Sequence, residues 1–364
     1  MALTIGIDAR AAQEERGGRG TLVRELLRAL AASDTPHRFR LLAREPWDGA
    51  PRDPRLTWAL TDLPDPAWNL AAAVRASAAC DVLLSTNSYL TAWATTIPTV
   101  VVVCDMVAFH PELLPQRRAA LIERATLPLA VRRARTLAAI SQATADDLVA
   151  LQPAAAGKTV VTELAADPRF ATGGAPDAEV LARHGLTGRS YVLGVGTLEP
   201  RKNLPRLIEA FAALPERLRA RHELVLVGAL GWDTDETLQA VERHRGLVRT
   251  LGHVPGDDLP ALYRGAAVFA YPSLYEGFGL PVLEAMTAGA PVLTSGVSSL
   301  PEVGGDAALY VDPRDVRSIR DGLVDLLDDP PRRAALSAAA VARATRFSWA
   351  RYAAQTVAAC ELVA

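Results

Sequence analysis

The stretch AAVFAYPSLYEGFGLPVLEAM, residues 266–286, carries the pattern that decides the fold. A short apolar run, AAVFAYP, ends in the loop SLYEGFG, and a segment with helical spacing of apolar residues follows. Pro281 suits the first position of that helix, where its missing N–H costs nothing. A buried strand leading through a loop into a helix is the unit from which parallel sheets are built.

The same unit recurs in both halves of the chain. Five apolar strand candidates stand in the first half, namely LTIGID, RFRLLA, DVLLST, PTVVVVCD and TLAAIS. Five more stand in the second half, namely YVLGVG, ELVLVG, LVRTLG, AAVFAYP and PVLTS. Since 364 residues exceed what one core usually organises, the pattern predicts an α/β protein with two doubly wound parallel-sheet domains.

The segment DPRFATGGAPDAE, residues 167–179, has the glycine and proline content of a connection between domains. It predicts a first domain over residues 1–172 and a second over 173–345. The closing segment, about residues 346–364, is helical in pattern, and we expect it to pack back on the first domain.

The composition excludes several classes of function. A formal charge of −2 and a 5% share of aromatic residues do not suit a nucleic-acid-binding protein. The three cysteines lack the close spacing of a metal site and the even number of a disulfide framework. No leader pattern opens the sequence and no apolar run approaches 18 residues, so we expect a soluble cytoplasmic protein.

Two adjacent cations follow the strand YVLGVG, in the turn GTLEPRKN. Lys202 is one of only two lysines among 39 basic residues, which favours a specific demand for lysine at this place. Arg201 offers a planar fork and Lys202 a compact charge, and together they suit a diphosphate. The alternative is a solvated entrance to the next helix.

The loop of residues 273–279 places an anion site between two acids. The amides of Phe278, Gly279 and Leu280 lie at a positively polarised helix end, which attracts anions. Glu276 precedes that helix and Glu284 lies about one turn inside it. Each carboxylate can accept the paired hydroxyls of a sugar or ribose. In the alternative interpretation, Glu276 is solvated and Glu284 only stabilises the start of its helix.

Two further stretches in the first half follow strands. The glycines of ERGGRGTL, with Gly18 and Gly20 among them, can bring backbone amides against a phosphate or form an ordinary turn. In VVVVCDMVAFHPE, Asp105 can accept the proton of an acceptor hydroxyl or cap a turn. Cys104 and His110 flank it, and a loop role is the simpler reading for the histidine.

Two charged stretches have simpler explanations than a site. GWDTDE can hold a divalent ion through Asp233 and Asp235, but a helix start with a capping pattern is favoured. The arginine-rich segment 115–137 can touch an anionic membrane surface, or it can be a solvated helix face. Its arginines are Arg117, Arg118, Arg124, Arg132, Arg133 and Arg135.

Taken together, the turn GTLEPRKN, the strand LVLVG and the long run from LGHVPGDDL to ALYVDP resemble glycosyltransferase family 4, of the bacterial mannosyltransferase type. In the first domain, the glycine turn, CDMVAFHPE and ISQATADDL carry a thinner resemblance. The resemblance implies the GT-B fold, in which two Rossmann-like domains face an interdomain cleft and bind a nucleotide-sugar. It also implies transfer with retention of the anomeric configuration, without metal or other cofactor.

The resemblance assigns roles to the residues already singled out. Glu276 is expected on the donor sugar, Glu284 on the ribose, and Arg201 with Lys202 on the diphosphate. Gly18 and Gly20 are expected near the same phosphates, and the backbone near Val254 near the base. The expected donor-binding residues are Gly18, Gly20, Gly196, Arg201, Lys202, Val254, Glu276, Phe278, Gly279, Leu280 and Glu284, and the expected catalytic residues are Glu276, Arg201, Lys202 and Asp105.

One dipeptide departs from the family pattern. Members of this type usually end the VVVV strand with His-Asp, whereas Cys104-Asp105 stands here. Cysteine is a poor hydrogen-bond partner, so Cys104, with His110 nearby, points to a donor that lacks a polar group there, such as a 6-deoxyhexose. Three alternatives stay open at this point: a nucleotide-sugar epimerase, a phosphorylase, and a nucleotide-sugar-binding protein without catalysis.

Overall fold

The computed structural model describes residues 1–14, 17–86, 89–110, 113, 117–172 and 177–364. Packing divides the chain into two compact units. The first unit comprises residues 1–165 and 347–364, and the second comprises residues 166–346.

A parallel sheet forms the centre of the first unit. The described residues contribute seven strands to it, in the order β3-β2-β1-β4-β5-β6-β7, and every neighbouring pair is parallel. Five consecutive β-branched residues form β5, and all five are buried, as expected for a strand covered on both faces. The strands are β1 Thr4–Asp8, β2 Arg38–Ala43, β3 Leu56–Leu60, β4 Val82–Ser85, β5 Thr99–Val103, β6 Thr136–Ala139 and β7 Thr159–Val161.

Helices cover this sheet. They are α1 Gly18–Ala31, α2 Ala67–Ala79, α3 Tyr89–Ala94, α4 Arg117–Arg133, α5 Gln142–Leu151 and α16 Trp349–Glu361. Short 3-10 turns lie at Arg10–Gln13, Val107–Phe109 and Pro153–Ala155.

The second unit repeats the design, and its described residues form six parallel strands in the order β10-β9-β8-β11-β12-β13. The strands are β8 Ser190–Val195, β9 His222–Val227, β10 Val248–Gly252, β11 Val268–Tyr271, β12 Val292–Ser295 and β13 Leu309–Val311. The helices are α6 Arg169–Thr172, α7 Asp177–Arg183, α8 Leu204–Ala212, α9 Glu216–Arg219, α10 Asp235–Arg243, α11 Leu259–Gly265, α12 Leu280–Thr287, α13 Leu300–Gly304, α14 Val316–Asp328 and α15 Pro330–Ala344. Two 3-10 turns lie at Pro200–Lys202 and Gly305–Ala307.

The predicted pair of doubly wound parallel sheets is confirmed, and each of the ten predicted strands is present. Three strands, β3, β7 and β13, were not predicted. Only one of the five β3 residues is buried, so its sequence lacks an apolar run. The other two are three residues long, too short for a periodic signal.

Two boundaries differ from those that the sequence suggests. The second unit begins at Ala166, before the connection-like glycines, because Phe170 is buried and packs edge-on against the Tyr263 ring with centroids 5.6 Å apart. Helix α12 begins at Leu280, so Pro281 is its second residue. Proline is tolerated there for the same reason, since the first-turn N–H groups have no partner inside the helix.

The strand order fixes where each sheet can hold a ligand. In the first sheet β1 lies between β2 and β4, and in the second β8 lies between β9 and β11. Chain connections leave in opposite directions on the two sides of β1 and of β8. At such a switch point the loops at the carboxyl ends diverge and leave a crevice, which is where doubly wound sheets bind ligands.

Helix α16 closes the first unit. The Ser348 side chain accepts a hydrogen bond from the Arg351 amide and so caps the helix. Trp349 and Tyr352 lie edge to face with ring centroids 5.5 Å apart, and Tyr352 is fully buried. The helix packs on α1 and on β4, β5 and β6, so the end of the chain completes the first core.

Tyr352→Ala removes a buried ring from that core, and we expect the free energy of unfolding to fall by about 3 to 5 kcal/mol. Chemical denaturation measures the loss. Hydrogen exchange should locate it in β4 and β5 and leave β8 and β11 protected. Leu362→Ala is the control, because Leu362 is 76% exposed at the end of the same helix and should change stability by less than about 0.5 kcal/mol. Equal effects of the two variants would contradict this account of α16.

Candidate active site

A buried carboxylate holds two cations after strands β8 and β11. The Lys202 ammonium donates to Glu276 Oε1 at 2.8 Å, and the Arg201 guanidinium donates to Glu276 Oε2 at 2.5 Å. Arg201 also donates to Glu199 at 2.6 Å, which fixes its other edge. The cation pair and one predicted acid therefore form a single cluster in the second unit.

Burial makes this cluster electrostatically demanding. Glu276 is 6% exposed and Lys202 is 8% exposed. Burial alone would raise the pKa of Glu276, but Arg201 and Lys202 outweigh it and lower the pKa to about 2. Burial, together with the charge of Arg201, lowers the pKa of Lys202. Glu276 is consequently an ionised acceptor across the physiological pH range.

Polar side chains hold the loops that carry this cluster. Asn203 is 1% exposed, and its amide donates to the carbonyl oxygens of Pro272 at 2.9 Å and Pro313 at 2.7 Å. One side chain thereby ties the turn after β8 to the loops after β11 and β13. Asn203 adopts φ 59°, a left-handed conformation that asparagine tolerates better than most residues.

Two serines fix the backbone of Glu276. The Ser298 and Ser299 hydroxyls both donate to its carbonyl oxygen, Ser299 at 2.9 Å. Within the loop, Ser273 donates to Glu276 Oε1 at 2.7 Å. The position of Glu276 is therefore set by the loop after β12 as well as by its own.

The predicted helix tip lies beside this cluster in sequence. Gly279 caps α12 with φ 103°, and a Cβ at this position would lie 2.8 Å from Leu300 Cδ2. Phe278 is buried and Leu280 is half-buried. The glycine requirement is thus explained twice, by the positive φ and by the close approach of α13.

Glu284 lies one turn into α12 and has a different environment from Glu276. It is half-buried and accepts a hydrogen bond from the Tyr263 hydroxyl at 3.0 Å. Burial raises the pKa of Glu284 to about 7, although the bond from Tyr263 opposes the rise. The two predicted acids therefore differ in protonation near neutral pH.

Two further predicted donor residues lie in the same unit. Gly196 follows β8 with φ 146°, and a Cβ there would be 3.5 Å from Lys202 Cε, so the turn runs alongside that lysine. Val254 follows β10 and is 4% exposed.

The predicted glycines of the first unit open α1. Gly17 caps the helix with φ 100°, and Gly18 is its first residue. Gly20 is buried, and a Cβ there would overlap the carbonyl oxygen of Glu14 and lie 3.0 Å from that of Ala11. Close packing of the helix start against the preceding turn accounts for Gly20. Glu15 and Arg16 lie outside the described residues.

A cavity of about 750 Å³ lies in the first unit, at the carboxyl end of its sheet. Cys104 and Asp105 line it as strand-end residues, whereas His110 is not among its lining residues. The polar lining includes Arg19, Asp65, Asn69, Thr86, Tyr89, Cys104, Asp105, Glu123 and Thr126. The structure thus brings Asp105 to a cavity and separates His110 from it.

One acid of this cavity, Glu123, has a raised pKa. Burial first, and the nearby charge of Asp105 second, raise the pKa of Glu123 to about 7, while a bond from the Tyr89 hydroxyl opposes the rise. The Asp105 side chain accepts a hydrogen bond from the Val107 amide at 3.0 Å. Burial raises the pKa of the Cys104 thiol to about 11, and Arg19 forms a hydrogen bond to it. The cavity accordingly offers both hydrogen-bond donors and acceptors at neutral pH.

Sequence reasoning missed several of these side chains. Arg19, Tyr89 and Glu123 come from three separate helices. Arg19 lies between the predicted Gly18 and Gly20, and Glu123 lies in the arginine-rich segment 115–137, but the pattern of neither stretch indicates a site role for these two side chains. Asn203 directly follows the predicted cation pair, so the motif GTLEPRKN contained its signal. Tyr263 and Tyr271 read as ordinary core residues in a helix and a strand.

Among the described residues, no group of three or more metal-ligating side chains is close enough to hold an ion. The GWDTDE segment leads into α10 at Asp235, as the capping interpretation predicts. Thr234 occupies the cap position but makes no side-chain capping bond, so that part of the prediction is wrong.

The predicted membrane segment is described only in part, since residues 115 and 116 and the side chains of Arg117 and Arg118 lie outside the described set. Two of its arginines serve the fold. Arg124 donates to the Ala108 carbonyl at 2.5 Å and Arg133 to the Thr95 carbonyl at 2.9 Å. Arg132 and Arg135 are exposed. In the part of the chain that is described, every helix is too short or too polar to cross a bilayer.

Comparison with known sequences gives relatives across this site. Residues 179–343 match the family model of the glycosyl transferases group 1. The chain is 40% identical over 256 residues to O-antigen chain mannosyltransferase B of Escherichia coli, covering 70% of this chain and 67% of the relative. It is 35% identical over 224 residues to the serotype-specific mannosyltransferase WbdA of Escherichia coli, covering 60% of this chain but only 28% of that longer protein.

Comparison with solved structures supports the same fold. Anabaena HepE, solved in complex with UDP-glucose, superposes with a TM-score of 0.78 and 18% identity, and the match covers 99% of this chain and all of HepE. The predicted GT-B architecture of two Rossmann-like units is confirmed. From the family match and the identity to the Escherichia coli relative, the chain belongs to the glycosyl transferases of group 1, and the resemblance to glycosyltransferase family 4 is confirmed.

Proposed function

We propose that this glycosyltransferase moves a hexose or 6-deoxyhexose from a nucleoside-diphosphate sugar to a hydroxyl of a glycan, a lipid-linked glycan or a natural product. The observation that carries the proposal is the cluster of Arg201, Lys202 and Glu276 beside helix α12. It follows β8 and β11, at the switch point where a doubly wound sheet binds its ligand. HepE was solved with UDP-glucose, which supports a nucleotide-sugar as donor.

The cluster suits a leaving diphosphate. Breaking a sugar–phosphate bond builds negative charge on the diphosphate, and fixed cations stabilise it without reorganisation. Glu276 holds both cations in place beforehand. Arg201 carries five N–H donors and retains some exposure, 21% of its side chain, so it can bind phosphate without leaving Glu276.

We propose retention and independence from metal on the same basis. Arg201, Lys202 and the tip of α12 supply positive charge where a bound cation would otherwise serve. A nucleophilic hydroxyl can then attack from the face that the leaving phosphate occupies, and that phosphate can take the proton. In this scheme Oε2 of Glu276, the oxygen bonded to Arg201, accepts a hydrogen bond from a hydroxyl of the donor sugar, and Glu284 accepts hydrogen bonds from the ribose hydroxyls.

We propose that the cavity of the first unit binds the acceptor through lining residues other than Cys104, which is assigned to the donor sugar. Its volume of about 750 Å³ lies within the range of small-ligand sites. Asp105 can accept a hydrogen bond from a hydroxyl of the acceptor. Glu123 is partly protonated near neutral pH, so it can donate a hydrogen bond as well as accept one. Such a lining suits the binding of neutral molecules that carry several hydroxyl groups.

We also propose a cytoplasmic location with peripheral contact to an anionic membrane. The three cysteines are free thiols, which fits a reducing compartment. Leu121 and Ile122 of α4 are 62% and 64% exposed, and the arginines Arg132 and Arg135 lie exposed in the same segment. Exposed apolar and basic groups together suit a charged lipid surface.

Glu276→Gln keeps the shape of the side chain but removes the charge that Arg201 and Lys202 share. We expect kcat for sugar transfer to fall by about 10²-fold, because one charged contact at the reacting centre is lost. Transfer is measured from GDP-mannose, UDP-glucose and their relatives to oligosaccharide acceptors. Glu209→Gln is the control, since Glu209, on α8, pairs with Arg243 and His244 at the end of α10 and not with the cluster. Undiminished transfer by Glu276→Gln would refute this role, and loss of donor without acceptor product would favour an epimerase or phosphorylase.

The affinity for the donor should depend on the protonation of Glu284. With a pKa of about 7, its carboxyl is mostly protonated at pH 6 and mostly ionised at pH 8. Since the ionised form is the better acceptor for ribose hydroxyls, the dissociation constant of the donor should fall by about tenfold between these values. Titration calorimetry measures the dependence, and Glu284→Gln should flatten it. A wild-type profile as flat as that of the variant would exclude Glu284.

The donor sugar can be tested through Cys104. We expect faster turnover with a GDP- or TDP-linked 6-deoxyhexose than with the parent hexose, because a thiol offers little to a 6-hydroxyl. Cys104→His should move the preference towards the parent hexose. The preference is measured by comparing kcat/KM for the 6-deoxyhexose donor with kcat/KM for its parent hexose donor. A wild-type preference for the parent hexose would defeat the proposal.

A further inference from the structure

Each of the two glutamates proposed to bind the nucleotide-sugar accepts a hydrogen bond from a buried tyrosine. The Tyr271 hydroxyl donates to Glu276 Oε1 at 2.8 Å, and the Tyr263 hydroxyl donates to Glu284 Oε2 at 3.0 Å. Tyr271 is 3% exposed and Tyr263 is fully buried. Both hydroxyls are therefore used inside the protein.

The two tyrosines belong to one continuous stack of rings. Phe269 lies between them, with its centroid 5.2 Å from that of Tyr263 and 5.7 Å from that of Tyr271. The first contact is edge-on at 69° and the second is stacked at 21°. Phe269 and Tyr271 are two residues apart in β11 and so project from the same face of the sheet. We call Tyr263, Phe269 and Tyr271 the ring ladder.

Packing of this kind restricts where the hydroxyls can lie. A buried ring in close contact on both sides has few alternative rotamers, since interiors are packed as densely as crystals. The ladder connects α11 to β11, and its ends reach Glu284 in α12 and Glu276 in the loop before α12. The distance between the two carboxylates is therefore set by the rigid core of the unit.

Tyr271 also completes a closed triangle of polar groups. Lys202 donates to the Tyr271 hydroxyl and to Glu276, while Tyr271 donates to Glu276. Removing the hydroxyl takes one partner from the buried ammonium and one from the buried carboxylate. Loss of a hydrogen bond to a charged buried group is more costly than loss of a neutral one.

We propose that Tyr263 and Tyr271 are positioning residues for transfer, and that the ring ladder holds Glu284 and Glu276 at the spacing that one donor molecule requires. This rests on the proposed roles of the two glutamates on ribose and sugar. The tyrosines act through the carboxylates and do not themselves contact the reacting atoms.

Phenylalanine substitutions test the ladder, because each removes one hydroxyl and keeps the ring. Tyr271→Phe should lower kcat by about 10- to 100-fold with KM for the donor within about twofold, since Glu276 acts on the sugar. Tyr263→Phe should raise KM by about tenfold with kcat nearly unchanged, since Glu284 binds the ribose. Kinetics with GDP-mannose, or with whichever donor proves active, measure the split.

Tyr191→Phe is a matched control. Tyr191 is fully buried in the same unit, and its hydroxyl donates to the Leu262 carbonyl at 2.7 Å and to neither glutamate. It should lose stability as the other two variants do, measured by thermal unfolding, while kcat and KM stay within about twofold. If all three variants behave alike in kinetics while the wild type transfers sugar, the ladder has no positioning role.

A second measurement does not need turnover. The groups that bear on the Glu284 carboxyl are Tyr263, Arg169, Asp167 and Lys202, and the bond from Tyr263 lowers its pKa. Carboxyl carbon NMR should therefore show a higher Glu284 pKa in Tyr263→Phe than the wild-type value of about 7, and no shift in Tyr191→Phe. An unchanged pKa in Tyr263→Phe would overturn the inference. A raised pKa in a protein that transfers no sugar would instead leave the ladder standing and reject the proposed function.

Discussion

The pairing of buried Glu276 with Lys202 and Arg201 is the interaction on which the rest of the second unit depends. Two cations side by side repel each other, and burial of either is costly without an acid. Glu276 resolves both problems, but only because tyrosine, serine and arginine donors surround its two oxygens. Four donors on one carboxylate make an arrangement that tolerates little displacement.

Strand order is what brings these groups together. Arg201 and Lys202 follow β8, and Glu276 follows β11. These strands are neighbours in the sheet, although Arg201 and Glu276 are 75 positions apart in the sequence. Asn203 then ties the end of β8 to the ends of β11 and β13, and Ser299, after β12, holds the loop that follows β11. The parallel sheet thus places each charged group approximately, and hydrogen bonds from side chains to backbone carbonyls fix its position.

The same unit treats its two acids in opposite ways. Cations hold the pKa of Glu276 at about 2, whereas burial raises the pKa of Glu284 to about 7 in spite of the hydrogen bond from Tyr263. In the first unit, burial and the nearby charge of Asp105 likewise raise the pKa of Glu123, in α4, to about 7. Carboxyl groups of one chemical type therefore serve as permanent acceptor and as exchangeable donor or acceptor, according to what surrounds them.

The sequence by itself determined the two parallel sheets, ten of the thirteen strands that the described residues form, the cation pair and the two glutamates, because apolar periodicity and loop motifs are local properties. It did not reveal β3, β7 or β13, which are exposed at an edge or too short to carry a period. Only the tertiary structure decided that Glu276 neutralises the cations, that Tyr263 and Tyr271 hold the acids, and that Arg19, Tyr89 and Glu123 share a cavity. Those contacts join residues from different elements, and their energies depend on burial and on partners that no local stretch of chain contains.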